Sequence, residues 1–202
     1  MKRTLFLIFW FLAGFTSFPA YCQPTADSTF TVILQTEYGE IRAVLFMQQA
    51  PVTCGNFLHY VHLTGETGGT FYRTVTPENQ PNNTIKIEVI QGGFDLESVD
   101  STRIHPIALE RTSITGLSHL NGTLSMARSG PDTGSTEFFI CIGDQPSLDY
   151  GGMRNPDGQG FAAFGRVVQG MDIVKKIQRS PADGQSLNPP VRIIKIKSGS
   201  VQ

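Results

Sequence analysis

The stretch Gly122–Ile142 constrains this chain more than any other: Gly-Thr-Leu-Ser-Met-Ala-Arg-Ser-Gly-Pro-Asp-Thr-Gly-Ser-Thr-Glu-Phe-Phe-Ile-Cys-Ile. It holds two strand-like runs, Thr123–Ala127 and Glu137–Ile142. The loop between them is built from Gly, Pro, Asp and Ser, the residues that punctuate regular structure. Ser125, Ala127, Ser129 and Gly130 are small and leave room for another chain to lie close. Phe138 and Phe139 offer aromatic faces at the far end of the loop.

Strand patterns dominate the rest of the chain. Ser28–Thr36 and Glu40–Phe46 alternate or run apolar around Tyr38-Gly39, which predicts a hairpin. Pro51 suits the first position of a helix, Phe57, Leu58 and Val61 recur at helical spacing, and Gly65 supplies a stop. Thr70–Arg73 and Ile85–Gln91 read as strands separated by the polar insert Thr76–Thr84. Phe161–Val168 reads as another strand. Met171, Val174 and Ile177 mark a second helix ended by Ser180-Pro181, and Val191–Lys197 reads as a closing strand. Many strands with two helices and no repeat or linker predict a mainly β fold, a closed antiparallel barrel capped by helices.

The N-terminus carries a different signal. Met1-Lys2-Arg3 precedes an apolar run from Leu5 to Phe15, the pattern of a secretory signal peptide. That run is short for a membrane span, which takes about 20 apolar residues. Ala20-Tyr21-Cys22 fits a cleavage site that leaves Gln23 first, dividing the chain into a leader over 1–22 and one domain over 23–202. An uncleaved anchor and a lipid on Cys22 are the competing readings; Tyr21 stands where lipidation favours a small residue. Loss of Lys2 and Arg3 takes the net charge from −1 to about −3. With no basic patch, nucleic acid is excluded as the expected partner. Only Cys54 and Cys141 remain; a disulfide and two free thiols are both open, and Cys141, in an apolar run, reads as a core residue.

The order Leu-Ser-Met-Ala, Gly-Pro, Gly-Ser and Phe-Phe-Ile within Gly122–Ile142 resembles the signature of the cyclophilin family of peptidyl-prolyl isomerases. Asn56-Phe57, Phe71-Tyr72-Arg73, Gln91-Gly92-Gly93-Phe94 and the run Phe164–Val174 are similar to further anchors of that family, so the likeness extends from about Thr29 to Gly199. The resemblance implies an eight-stranded antiparallel barrel with a helix at each end. It also implies isomerisation of X-Pro bonds without cofactor or metal, on proline-containing segments, by a monomer that is free of the membrane once its leader is cut.

That chemistry needs no nucleophile. The barrier is lost amide resonance, about 18–20 kcal/mol. A catalyst needs an apolar slot for the proline ring and a donor for the nitrogen lone pair that appears as the amide twists. By resemblance Arg73 is the donor, and Gln91 holds Arg73 and bonds the substrate backbone. Phe71, Val89, Met126, Phe139, Leu148 and Phe161 fall at substrate-binding positions, with Ala127 and Arg128 on the rim. The departures are Glu88 where well-studied members carry a slot-lining Phe, Val89 for Met, Ser147 for Trp and Phe161 for His. The segment Tyr150–Gly160, rich in Gly, Asn and Asp, extends a loop near the slot.

Two rivals follow from other residues. Asp132-Thr133-Gly134-Ser135 matches the aspartic-protease signature, but that chemistry needs two carboxylates sharing a proton and the chain has one copy. Glu88 and Ser147 motivate a module that holds proline peptides without turning them over. His59 and His62 share a helix face, but with no third ligand nearby they read as ordinary histidines.

Overall fold

Alternation along each strand sets one face against the barrel interior and the other against its surroundings. The computed structural model describes residues 30–200. The leader, its cleavage site and Cys22 lie outside the described residues. The strands are β1 (Phe30–Thr36), β2 (Gly39–Leu45), β3 (Thr67–Val75), β4 (Val89–Phe94), β5 (Thr123–Met126), β6 (Glu137–Cys141), β7 (Ala162–Gln169), β8 (Ala182–Asp183) and β9 (Ser186–Ser200). The helices are α1 (Pro51–Leu63), α2 (Thr112–Thr115) and α3 (Met171–Gln178).

The strand order is β1-β2-β7-β5-β6-β4-β3-β9, and antiparallel β1–β9 pairing closes the ring into an eight-stranded barrel. The two-residue β8 only forms a hairpin with the start of β9. Val32, Leu34, Ile41, Ala43, Phe71, Ile90, Leu124, Phe138, Ile140, Phe164 and Ile196 are fully buried within the main core. Phe57 of α1 meets Phe94, Phe138 and Phe164 at ring-centroid distances of 5.2, 5.3 and 5.4 Å. Helix α1 thus closes the barrel with Cys54, Phe57, Leu58 and Val61 on one face, the spacing its sequence carries. Its N-terminus is held by the Glu110 carboxylate, which accepts from the N–H groups of Val52 (3.0 Å) and Thr53 (2.7 Å). A negative charge at that end also suits the helix dipole.

The mainly β barrel agrees with the sequence reading, with differences at the element level. Among the described residues there are three α-helices rather than two; α2 is a single turn that the sequence pattern is too short to reveal. Strand β4 begins at Val89, not Ile85, and β9 begins at Ser186, five residues before the expected Val191. The insert Thr76–Thr84 folds back on itself. Buried Gln80 donates to the Thr76 carbonyl (2.7 Å) and to the Ile87 carbonyl (2.8 Å), binding the insert to the segment that leads into β4. Cys54 and Cys141 are buried free thiols.

Candidate active site

A bulge in β3 creates the site. Phe71 pairs with Gly92, but Arg73 pairs with Gln91, so Tyr72 is an extra residue between them. Without it, Phe71 and Arg73 would share a face. With it, Phe71 packs inside the barrel and Arg73 stands outside. The same rank continues across the outer face, since Gln91 pairs with Phe139 and Phe139 with Ser125.

Arg73 is held by two neutral acceptors. Its Nη1 donates to Gln91 Oε1 at 2.8 Å, while Nε and Nη2 both donate to Gln185 Oε1 at 2.9 and 2.6 Å. Gln185 in turn donates to the Asn79 carbonyl at 3.0 Å, so the insert supports the hairpin that carries it. On the other side, Gln91 Nε2 donates to Tyr72 Oη (2.7 Å) and to Glu137 Oε2 (2.9 Å). Tyr72 donates its own proton to Glu137 at 2.5 Å. Burial first, and then the Glu137 carboxylate, push the Tyr72 phenol well above its usual range, so it remains a donor.

Beside this network lies an apolar slot. Val75, Ile87, Val89, Phe139, Cys141 and Leu148 form a buried cluster, with Ala127 and Phe161 packed against it. Phe161 meets Phe139 edge to face at 5.3 Å. The cleft over this cluster has a volume of about 510 Å³ and is lined by Arg73, Gln91, Val89, Ala127, Arg128, Phe139, Leu148 and Phe161 among others. Eight of the ten residues assigned to the site from sequence therefore line one cleft.

The other two do not. Phe71 and Met126 belong to the barrel core, 0% and 3% exposed. The cause for Met126 is the two-residue period of β5, which turns Ser125 outward and Met126 inward. Glu88 also departs from expectation. Its carboxylate accepts from Gln178 Nε2 at 3.1 Å, and the slot wall is supplied by Ile87 instead. Ile87 precedes Val89 by two, so alternation carried a signal for it. Gln185 lies 112 residues from Arg73, and no local pattern announces it. Arg128 lines the cleft, but its guanidinium is committed: Nη1 and Nη2 to Asp157 (2.7 and 2.9 Å), Nε to the Gly160 carbonyl (2.8 Å), and its face to the Phe161 ring. Arg128 thus pins the Tyr150–Gly160 loop beside the slot.

Behind the slot, His119 stacks on Phe139 at 6.0 Å. Its Nδ1 lies 2.6 Å from Asp149 Oδ1 and its Nε2 lies 2.9 Å from Ser125 Oγ. This has the order of a nucleophile relay, but Ser125 and His119 are 0% and 1% exposed, so no substrate atom reaches the hydroxyl. The relay instead ties Phe139 to the residue after Leu148, which fixes two walls together. Burial, then the Asp149 and Asp144 carboxylates, raise the Cys141 thiol and keep it uncharged. The Asp132 carboxylate accepts from the Leu109 N–H at 2.8 Å, a loop-holding bond rather than half of a protease dyad.

Comparison with known proteins agrees with this fold. The model of the cyclophilin-type peptidyl-prolyl cis-trans isomerase family matches residues 31–198. This chain belongs to the cyclophilin-type isomerases. Peptidyl-prolyl cis-trans isomerase A of Dickeya dadantii is 33% identical over 203 residues, 99% of this chain and 97% of the relative. A peptidyl-prolyl cis-trans isomerase of Acinetobacter baylyi is 33% identical over 174 residues, 85% of each chain. Among solved structures, a cyclophilin-type isomerase of Cryptosporidium parvum superposes with a TM-score of 0.66 at 22% identity, over 86% of this chain and 99% of that one. As a cyclophilin, the chain is an isomerase.

Proposed function

We propose that this cyclophilin isomerises X-Pro bonds of exported proteins, in the periplasm or outside the cell, as a monomer, with Arg73 as the catalytic donor. The observation that carries the reading is the Arg73 guanidinium, clamped by Gln91 and Gln185 at the edge of the slot formed by Val89, Phe139, Leu148 and Phe161. A proline ring seated in the slot leaves its amide beside that guanidinium. As the amide twists, its nitrogen pyramidalises and gains a lone pair. A fixed N–H donor then binds the twisted form more strongly than the planar one, which is differential binding of the transition state. Because both acceptors on Arg73 are neutral amides, its charge is not cancelled before substrate arrives.

The leader-like Met1–Cys22 supports an exported location. A cyclophilin structure solved in the presence of the dipeptide Ala-Pro, 22% identical with a TM-score of 0.64, supports proline peptides as the substrate class. The test is a protease-coupled proline-peptide assay on the mature domain. Arg73→Ala is expected to lower kcat/KM by about 10²-fold, the usual effect of removing one preorganised donor. Arg73→Lys is expected to recover little, since a point charge does not reproduce the planar fork. Undiminished activity in Arg73→Ala overturns the assignment.

A further inference from the structure

The cleft holds one charge that the isomerase chemistry does not use. Its charged lining residues are Arg73, Arg128, Glu137 and Arg154. Arg128 is neutralised by Asp157. The Glu137 carboxylate is engaged by Tyr72 and Gln91. Arg73 and Arg154 face the same cavity, and among the described residues neither has an ion-pair partner.

Arg154 is placed by built contacts. It comes from the Tyr150–Gly160 loop, and its backbone N–H donates to the Ser147 carbonyl at 3.1 Å. Its Nη1 donates to the Ile85 carbonyl at 2.7 Å, two residues before the wall residue Ile87. Arg154 therefore links the segment beside Leu148, through its backbone N–H, to the segment leading into β4, through its guanidinium. Partial burial, and then the Arg73 charge, act against its protonated form. A partly desolvated cation facing a second cation is an unfavourable arrangement that a nearby anion relieves. A side chain one or two positions from a slot-seated proline is at most about 3.5–7 Å away along the chain.

We propose that Arg154 is a specificity-determining residue that selects proline segments bearing an Asp or Glu side chain within two residues of the proline. The proposal rests on the isomerase reading of the same cleft. The experiment uses Ala-rich proline peptides with Glu, Ala or Lys at each of the two positions on either side of the proline. It measures kcat/KM by the coupled assay and Kd by fluorescence anisotropy. At low salt, Glu is expected to be preferred over Lys by about tenfold at one flank, which is about 1.4 kcal/mol. The preference should shrink in 1 M salt, where the screening length falls to about 3 Å. Arg154→Gln, which keeps a donor for the Ile85 carbonyl, is expected to bring the ratio to within about twofold, and Arg154→Lys to retain most of it. A wild-type ratio within about twofold at every position, or one that Arg154→Gln leaves intact, overturns the proposal and assigns Arg154 to holding the loop alone. Turnover without charge preference rejects this inference and leaves the isomerase reading standing. Charge-selective binding without turnover does the reverse.

Discussion

Gln185 shows how much of a catalytic residue's geometry is owed to its neighbours. A free arginine side chain samples many rotamers, and fixing one costs up to about 2 kcal/mol. Gln185 Oε1 receives two of the three hydrogen bonds that fix Arg73, and Gln91 receives the third. Gln185→Ala is expected to lower kcat by about tenfold by letting Arg73 disperse, with KM changed by less than twofold, because the apolar slot that seats the ring is untouched. Gln185→Glu keeps the acceptor for Arg73 but loses the donor to the Asn79 carbonyl, and its charge partly cancels that of Arg73, so it is expected to recover kcat only in part. A kcat-against-KM split across the three proteins, measured well below each melting temperature, checks the assignment. If Gln185 served only to hold the β8–β9 hairpin, melting temperature would fall and kcat at low temperature would not.

At the scale of elements, the Tyr150–Gly160 loop is held by few contacts, and each has a definite cause. Gly160 has φ +66°, and a Cβ there would lie 2.6 Å from the Asp149 carbonyl carbon, so only glycine lets the loop return against the Leu148 segment. The same end is fastened by the bidentate pair between Arg128 and Asp157, and the start of the loop by the Tyr150 N–H, which donates to Thr112 Oγ1 at 2.8 Å. The Arg128 hydrogen bonds, and then the Gln159 N–H, hold the Asp157 carboxyl down to about 2 from an ordinary 3.8. Since the folded-state value is the lower one, the fastening is complete above about pH 4 and is lost as the pH falls through about 2. Titration of the Asp157 carboxyl carbon by NMR is expected to give a midpoint near 2 in the wild type and a clearly higher one in Arg128→Gln, still below the ordinary 3.8 because the Gln159 N–H remains. An unmoved midpoint would mean that the pair does not form in solution.

The same elements show what a sequence makes legible. Strands with strict alternation and helix α1, with its Pro51 start and Gly65 stop, follow from local chemistry and stand where expected. The insert Thr76–Thr84 carries no periodicity; its order comes from Gln80 reaching Ile87, a contact that polar composition does not announce. The bulge at Tyr72 is likewise a matter of pairing partners, yet it decides that Arg73 is outside and Phe71 inside. Motif likeness named Arg73, Gln91 and apolar residues that the structure brings to one cleft. It also named Phe71 and Met126, which lie in the core, because a motif marks neighbours in sequence without saying which face each takes.

For the whole molecule, the barrel wall separates stability from function. The inner face is the large aromatic and aliphatic core around Phe57, and the outer face carries the smaller cluster under the slot. Phe138 and Phe139 are adjacent, yet one meets Phe57 and the other meets Phe161. Deleting the Phe57 ring removes three aromatic contacts at the centre of the core and leaves a cavity that close-packed neighbours fill only in part. Phe57→Ala is expected to cost about 3–5 kcal/mol. At about 2–4 °C per kcal/mol for a domain of this size, the melting temperature falls by roughly 6–20 °C. Because no Phe57 atom lines the cleft, kcat/KM measured well below that transition is expected to stay within about twofold of the wild type. Phe139→Ala opens the slot itself and is expected to lower both stability and kcat/KM, the latter by about tenfold or more. Thermal melts and coupled assays on the two variants together decide the matter. If Phe57→Ala loses activity in proportion to Phe139→Ala while still folded, the wall transmits strain from core to slot and the two faces are not independent.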